Sequence, residues 1–210
     1  MFRSRAMGQV PSTLVTNLLL IRHGQSEWNA VGRWQGHADP PLTDLGRNNA
    51  ILAGRSKHLK TFDALISSPL ERALDTAEIF ADAIGLSTVL SDEDLMERDA
   101  GPWQGLTRNE IEAGWPGMLE SDRRPNGYED DDTLLTRVLS SLARITTRVG
   151  DSNVLVVTHA GVIYALEGSC GEPWQRLSNL GGRWLEFGEG RMTLGPRVEL
   201  VANETVPDLL

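Results

Sequence analysis

The chain has 210 residues, a single cysteine and a formal net charge of -9, with 40% hydrophobic and 23% charged residues. That length buries a sizeable core without disulfides or structural metals, and the composition shows none of the bias of disordered or repetitive chains. The acidic balance argues against a nucleic acid or an anionic membrane as partner, while the lone Cys170 excludes an intrachain disulfide and a cysteine-pair zinc site and fits a reducing, cytoplasmic compartment.

Residues 1–17, MFRSRAMGQVPSTLVTN, read as a loose N-terminal extension, since they lack the apolar run of a signal peptide or membrane span. Residues 18–210 contain no linker and are expected to form one domain. Apolar runs at 18–21, 63–67 and 153–157 are too short for stable helices and do not alternate, so they predict strands buried on both faces. Helical spacing occupies 43–58 after Thr43, 69–84 after Ser68-Pro69, 107–121 after Thr107, 130–149 and 161–168. RWLEF at 183–187 and RVELVA at 197–202 flank a glycine-bearing turn and predict an antiparallel pair. The alternation predicts an α/β fold: a three-layer α/β/α sandwich with a mostly parallel central sheet and an antiparallel edge.

The chemistry concentrates at strand ends. The first strand runs into Arg22-His23-Gly24, the 153–157 strand into Thr158-His159-Ala160-Gly161, and the 63–67 strand into Ser68-Pro69-Leu70-Glu71-Arg72. Ser68 is expected to cap the next helix, with Pro69 at its first position and Arg72 in its first turn. Ligands of open parallel sheets bind beyond the carboxyl ends of the strands, where helix N-termini face negative charge. Arg22, His23, Arg72 and His159 are thus predicted to meet as a cationic cluster in an acidic chain. Guanidinium forks hold a phosphate dianion and offset the charge of its transfer. Their field keeps a neighbouring imidazole unprotonated and nucleophilic, and a second histidine can bind the equatorial oxygens.

The segment Leu-Ile-Arg-His-Gly-Gln-Ser-Glu-Trp-Asn at 20–29 resembles the signature of the histidine phosphatase (phosphoglycerate mutase-like) superfamily. Gly36 to Gly46 is similar to that family's substrate loop, Ser67 to Ala73 to its second arginine motif, Glu97 with Gly101, Trp103 and Gly105 to its acid-carrying segment, and Val157 to Gly161 to its second histidine motif. The resemblance implies that His23 is phosphorylated, that Arg22, Arg72 and His159 bind the phosphoryl group, and that Glu97 protonates the leaving oxygen. It also places Asn29 and Gln35 at the phosphate or substrate pocket. Thr43 is read first as an N-cap, with substrate contact as its functional alternative.

Two departures stand out: Gly-Tyr-Glu-Asp at 127–130 where relatives show Gly-Gly-Glu-Ser, and Trp-Gln-Gly at 103–105 where they show Trp-Glu-Gly. Neither is expected to touch the chemistry. The basic insert of the mutases is absent, since only Arg108, Arg123 and Arg124 are cationic between Gln104 and Asp130, and hydrolysis is favoured over mutase transfer. The acidic run 129–132 reads as a helix opening, His37 and His58 as surface, and Trp28 and Trp34 as core or pocket wall. No metal-ligand spacing is present. The expected activity is therefore metal-independent, cofactor-free hydrolysis of a small phosphorylated metabolite through a phosphohistidine. The alternatives are mutase-type phosphoryl transfer and a catalytically idle binding module. Expected partners are that metabolite and at most a second copy of the chain, with no nucleic acid and no membrane.

Overall fold

The structure, a computed structural model, describes residues 15–201. Residues 1–14 of the expected extension, and 202 of the expected last strand, lie outside the described residues. Thr16 and Asn17, also expected in the extension, are the first residues of β1 (Thr16–Arg22).

Five further strands complete one sheet: β2 (Ala64–Ser67), β3 (Val89–Ser91), β4 (Asn153–Thr158), β5 (Gly181–Gly188) and β6 (Arg191–Glu199). Their spatial order is β3-β2-β4-β1-β5-β6. The first four in that order run parallel, and β5 and β6 add the antiparallel edge. Successive residues of the central strands feed opposite cores. Leu18, Leu20, Val154 and Val156 pack with α5 (Asp131–Val149) and α6 (Ala160–Ser169). Leu19, Ile21, Leu155 and Val157 pack with α2 (Asp44–Ala53) and α3 (Glu71–Ile84). Helices on both faces explain why the strands are apolar throughout. Two shorter helices, α1 (Glu27–Ala30) and α4 (Arg108–Gly114), follow the first strand and the acid-carrying segment. Among the described residues no helix is long and apolar enough to cross a membrane.

Several boundaries differ from expectation. β3 has three residues at a sheet edge, none of them buried, so it leaves no apolar run to read. The helix expected over 107–121 stops at Gly114, because Trp115 precedes Pro116 and is pushed out of helical geometry, at φ -135° and ψ 69°. The helix expected over 43–58 stops at Ala53, before Gly54. Glu189 and Gly190, at φ 51° and 71°, make the two-residue turn between β5 and β6, so β6 starts at Arg191, earlier than expected. Ser68 does not cap α3. Leu70 holds that position without a side-chain bond, and the loop residue Asp39 accepts the Glu71 N–H at 2.7 Å instead.

Candidate active site

Register brings the chemistry together. Arg22 pairs with Thr158 and Ser67 with Val157, so three strands end level. The ladder continues one step further, with the His23 N–H donating to the Thr158 carbonyl and the Ser68 N–H to the Val157 carbonyl, each at 3.0 Å. The rings of His23 and His159 stand edge to face with centroids 5.1 Å apart.

His23 is 2% exposed. Its Nδ1 lies 2.6 Å from the Gly24 carbonyl, which can only accept, so the ring proton sits on Nδ1 and the lone pair on Nε2. Toward that lone pair Arg72 directs its Nε at 3.3 Å. Burial, then the charges of Arg72 and Arg22, hold the imidazole well below its usual 6.5, outweighing the Gly24 bond. Desolvation adds to the expected arginine field and exceeds it. His159 is lowered in the same way, first by burial and then by Arg72. Its Nε2 meets the Ser68 hydroxyl at 2.8 Å, while its Nδ1 has no hydrogen-bond partner.

Arg72 is fully buried. Its terminal nitrogens donate to the Ala38 and Gly36 carbonyls at 2.7 and 3.0 Å, and Nη1 also lies 3.7 Å from the Asp39 carboxylate. Burial lowers its pKa to about 10, against the raising effect of Glu97 and Asp39, so it remains a cation at neutral pH. Arg22 is anchored by donation to the Leu177 carbonyl at 2.6 Å.

A cleft of about 1100 Å³ opens over this rim. Arg22, His23, Asn29, Gln35 and Glu97 line its inner part, whereas Arg72 and His159 are not on its wall and meet it through His23. Asn29 is the third residue of a reciprocal cap on α1, exchanging bonds with Ser26, whose hydroxyl also donates to Gln35 at 2.7 Å. Glu97 accepts the Arg98 N–H at 2.7 Å and, from the first turn of α6, the Gly161 N–H at 3.2 Å. A Cβ on Gly161 would sit 2.2 Å from the Glu97 Oε1, so only glycine allows this approach. The Glu97 carbonyl is held in turn by Arg137 at 2.9 Å and His37 at 2.8 Å.

Thr43 is not among the residues that line the cleft. Its hydroxyl caps α2, accepting the Gly46 N–H at 2.9 Å, and donates to Gln25 at 2.9 Å. The two sequence departures lie closer to the site than expected. Tyr128 and Glu129 line the cleft, and Gln104 accepts the N–H of Ala38, the residue whose carbonyl receives Arg72. Glu129 forms a two-bond fork with Arg137, at 2.7 and 2.9 Å, in addition to preceding α5. Trp34 lines the cleft, its ring 5.2 Å from that of Trp103, whereas Trp28 does not. Arg137 and Asn179 were missed, because neither falls at a strand end or in a recognisable spacing, and Glu129 was read only as part of a helix opening. Among the described residues no group of three or more His, Cys, Asp or Glu side chains could hold a metal ion.

The model of the histidine phosphatase superfamily (branch 1) matches residues 18–194, and the chain belongs to that superfamily. The glucosyl-3-phosphoglycerate phosphatase of Mycolicibacterium vanbaalenii is 36% identical over 181 residues, covering 80% of this chain and 80% of that protein. The metal-independent phosphoserine phosphatase of Arabidopsis thaliana is 35% identical over 161 residues, covering 72% and 67%. A solved mycobacterial glucosyl-3-phosphoglycerate phosphatase in complex with VO3 superposes with a TM-score of 0.76 at 30% identity, covering 85% of this chain and 96% of that one. Within the family this chain is a phosphatase, a phosphoric monoester hydrolase.

Proposed function

We propose that the chain hydrolyses a small phosphorylated metabolite in two steps through a phosphohistidine on His23, with no metal ion. The observation that carries this reading is the His23 Nε2 lone pair, fixed by the Nδ1 bond to Gly24, kept unprotonated, and set at the inner end of the cleft. In the first step Nε2 forms a bond to phosphorus as the ester P–O bond breaks. Arg22 and Arg72 offset the charge on the equatorial oxygens, His159 and Asn29 bind them, and the Glu97 carboxyl gives its proton to the leaving oxygen. In the second step the Glu97 carboxylate takes a proton from water. The water oxygen bonds to phosphorus, the P–N bond breaks, and inorganic phosphate leaves.

Gln35 and the outer cleft would hold the alcohol part of the substrate. Hydrolysis is preferred to mutase transfer because residues 104–130 supply few cations, of which Arg124 lines the cleft. The same reading treats the described residues from β1 onward as one domain and places the protein in the cytoplasm, in keeping with its single cysteine. The test is a rapid quench with substrate carrying a labelled phosphoryl group, in EDTA. An acid-labile, base-stable label on the wild-type chain, absent from His23→Ala, is expected, with no need for 2,3-bisphosphoglycerate. A label that persists in His23→Ala, or activity lost in EDTA and restored by zinc or magnesium, overturns the reading.

A further inference from the structure

Asn179 belongs to none of the motifs above. It lies between α6 and β5, is 2% exposed, and directs its Nδ2 at two acceptors: the His23 carbonyl at 2.9 Å and the Asn29 Oδ1 at 3.1 Å. A backbone carbonyl can only accept, so His23 fixes which end of the Asn179 amide is the nitrogen. That nitrogen then demands the oxygen of Asn29, which also receives the Ser26 N–H at 3.2 Å. The Asn29 Nδ2 is the end left over. It is buried without a hydrogen-bond partner, on a residue that is 4% exposed and lines the cleft beside His23. A buried, unpaired donor is unfavourable until an acceptor reaches it, and a phosphoryl oxygen is such an acceptor.

We propose that Asn179 is a positioning residue that locks the Asn29 amide with its nitrogen toward the phosphoryl group and ties that orientation to the main chain of the nucleophile. The proposal rests on the phosphate site described above. Without Asn179 only the 3.2 Å bond from the Ser26 N–H still holds the Asn29 amide, and its carbonyl oxygen turns more readily toward the dianion, which repels it. Asn179→Asp goes further, because an ionised carboxylate there accepts from Asn29 and reverses the amide.

The experiment is a double-mutant cycle on the full chain, reading the competitive inhibition constant of inorganic phosphate. Asn29→Ala and Asn179→Asp are each expected to raise that constant about tenfold, the loss of one hydrogen bond to a charged group. The Asn29→Ala, Asn179→Ala double variant is expected to rise no further than Asn29→Ala, since Asn179 acts through Asn29. Asn179→Ala, which loosens the amide without reversing it, is expected to give about a threefold rise and the same absence of effect beside Asn29→Ala. It serves alone if Asn179→Asp fails to fold. Losses that multiply in the double variant overturn the positioning role and leave a merely structural one. A constant unchanged in Asn29→Ala overturns the placing of Asn29 at the phosphate, and so the reading beneath.

Discussion

The inner and outer parts of the cleft are built on different principles. At the inner end the side chains that follow the strands bond to main-chain carbonyls: His23 to Gly24, Arg22 to Leu177, Arg72 to Gly36 and Ala38. The outer wall comes from turns, and its side chains mostly bond to one another. The Arg124 guanidinium lies 5.5 Å from the Trp103 ring and 5.6 Å from the Tyr128 ring, and pairs with Asp122 at 2.8 Å. The Arg98 guanidinium sits 5.7 Å from the Tyr128 ring and pairs with Asp131 at 2.5 Å. Trp174 at the rim is 72% exposed. A backbone-anchored end tolerates little exchange, whereas a wall of side-chain pairs can be rebuilt without disturbing the sheet. One fixed chemistry can thus serve several phosphorylated substrates.

The comparison breaks if the inner residues prove dispensable. His23→Ala should lower phosphate release by at least about a thousandfold on every substrate, because the covalent route is gone. Near-normal steady-state release by that variant would sink the assignment. Glu97→Gln should slow hydrolysis of an alkyl phosphate by about a hundredfold and of p-nitrophenyl phosphate much less, since a nitrophenolate departs without a proton. Equal losses on both esters would reduce Glu97 to a structural partner.

Gly161→Ala sharpens the same point from the backbone. Its new methyl must displace the Glu97 carboxylate, and about a tenfold loss is expected with the leaving-group dependence of Glu97→Gln. A loss independent of the leaving group would mean that the helix itself had shifted. On the outer wall, Tyr128→Ala should raise KM for a metabolite by about threefold while kcat holds, the mark of binding shared by ground and transition states. A fall in kcat instead would erase the division between the two regions.

The smallest effect is in pH. Because the neutral form of His23 is the nucleophile and its pKa is lowered, kcat/KM corrected for substrate ionisation should keep its acid limb below 6.5. Stability has the opposite sensitivity. The unfolded chain binds protons at its histidines as pH falls through 6.5 while buried His23 and His159 do not, so melting temperature should drop below that pH. A melting temperature flat from pH 7 to about 5.5 would mean that these imidazoles titrate normally when folded.

The inner end was legible in the sequence because strand ends and motif spacing carry it: Arg22, His23, Arg72 and His159 arrive where the pattern predicts. The fold was legible for a related reason, since β1 and β4 are continuous apolar runs that need cover on both faces. β3 was not, because Val89, Leu90 and Ser91 are too few and too exposed to form a pattern. Asn179 was invisible for a different reason. Its partners, His23 and Asn29, lie 156 and 150 residues away, so no local spacing can announce it. Ser68 was misread because the cap position falls two residues beyond its signal, at Leu70: the Ser68 hydroxyl accepts the Leu70 N–H at 3.3 Å and pairs with His159, 91 residues away, at 2.8 Å.

The two histidines follow β1 and β4, the innermost strands of the six. Amides in such positions exchange with solvent only when the whole molecule opens, whereas turns such as those over residues 115–130 open locally at far lower cost. Partial opening under thermal stress therefore reaches the outer wall first. A warmed molecule loses its discrimination between substrates while its capacity to cleave a phosphate ester is still intact.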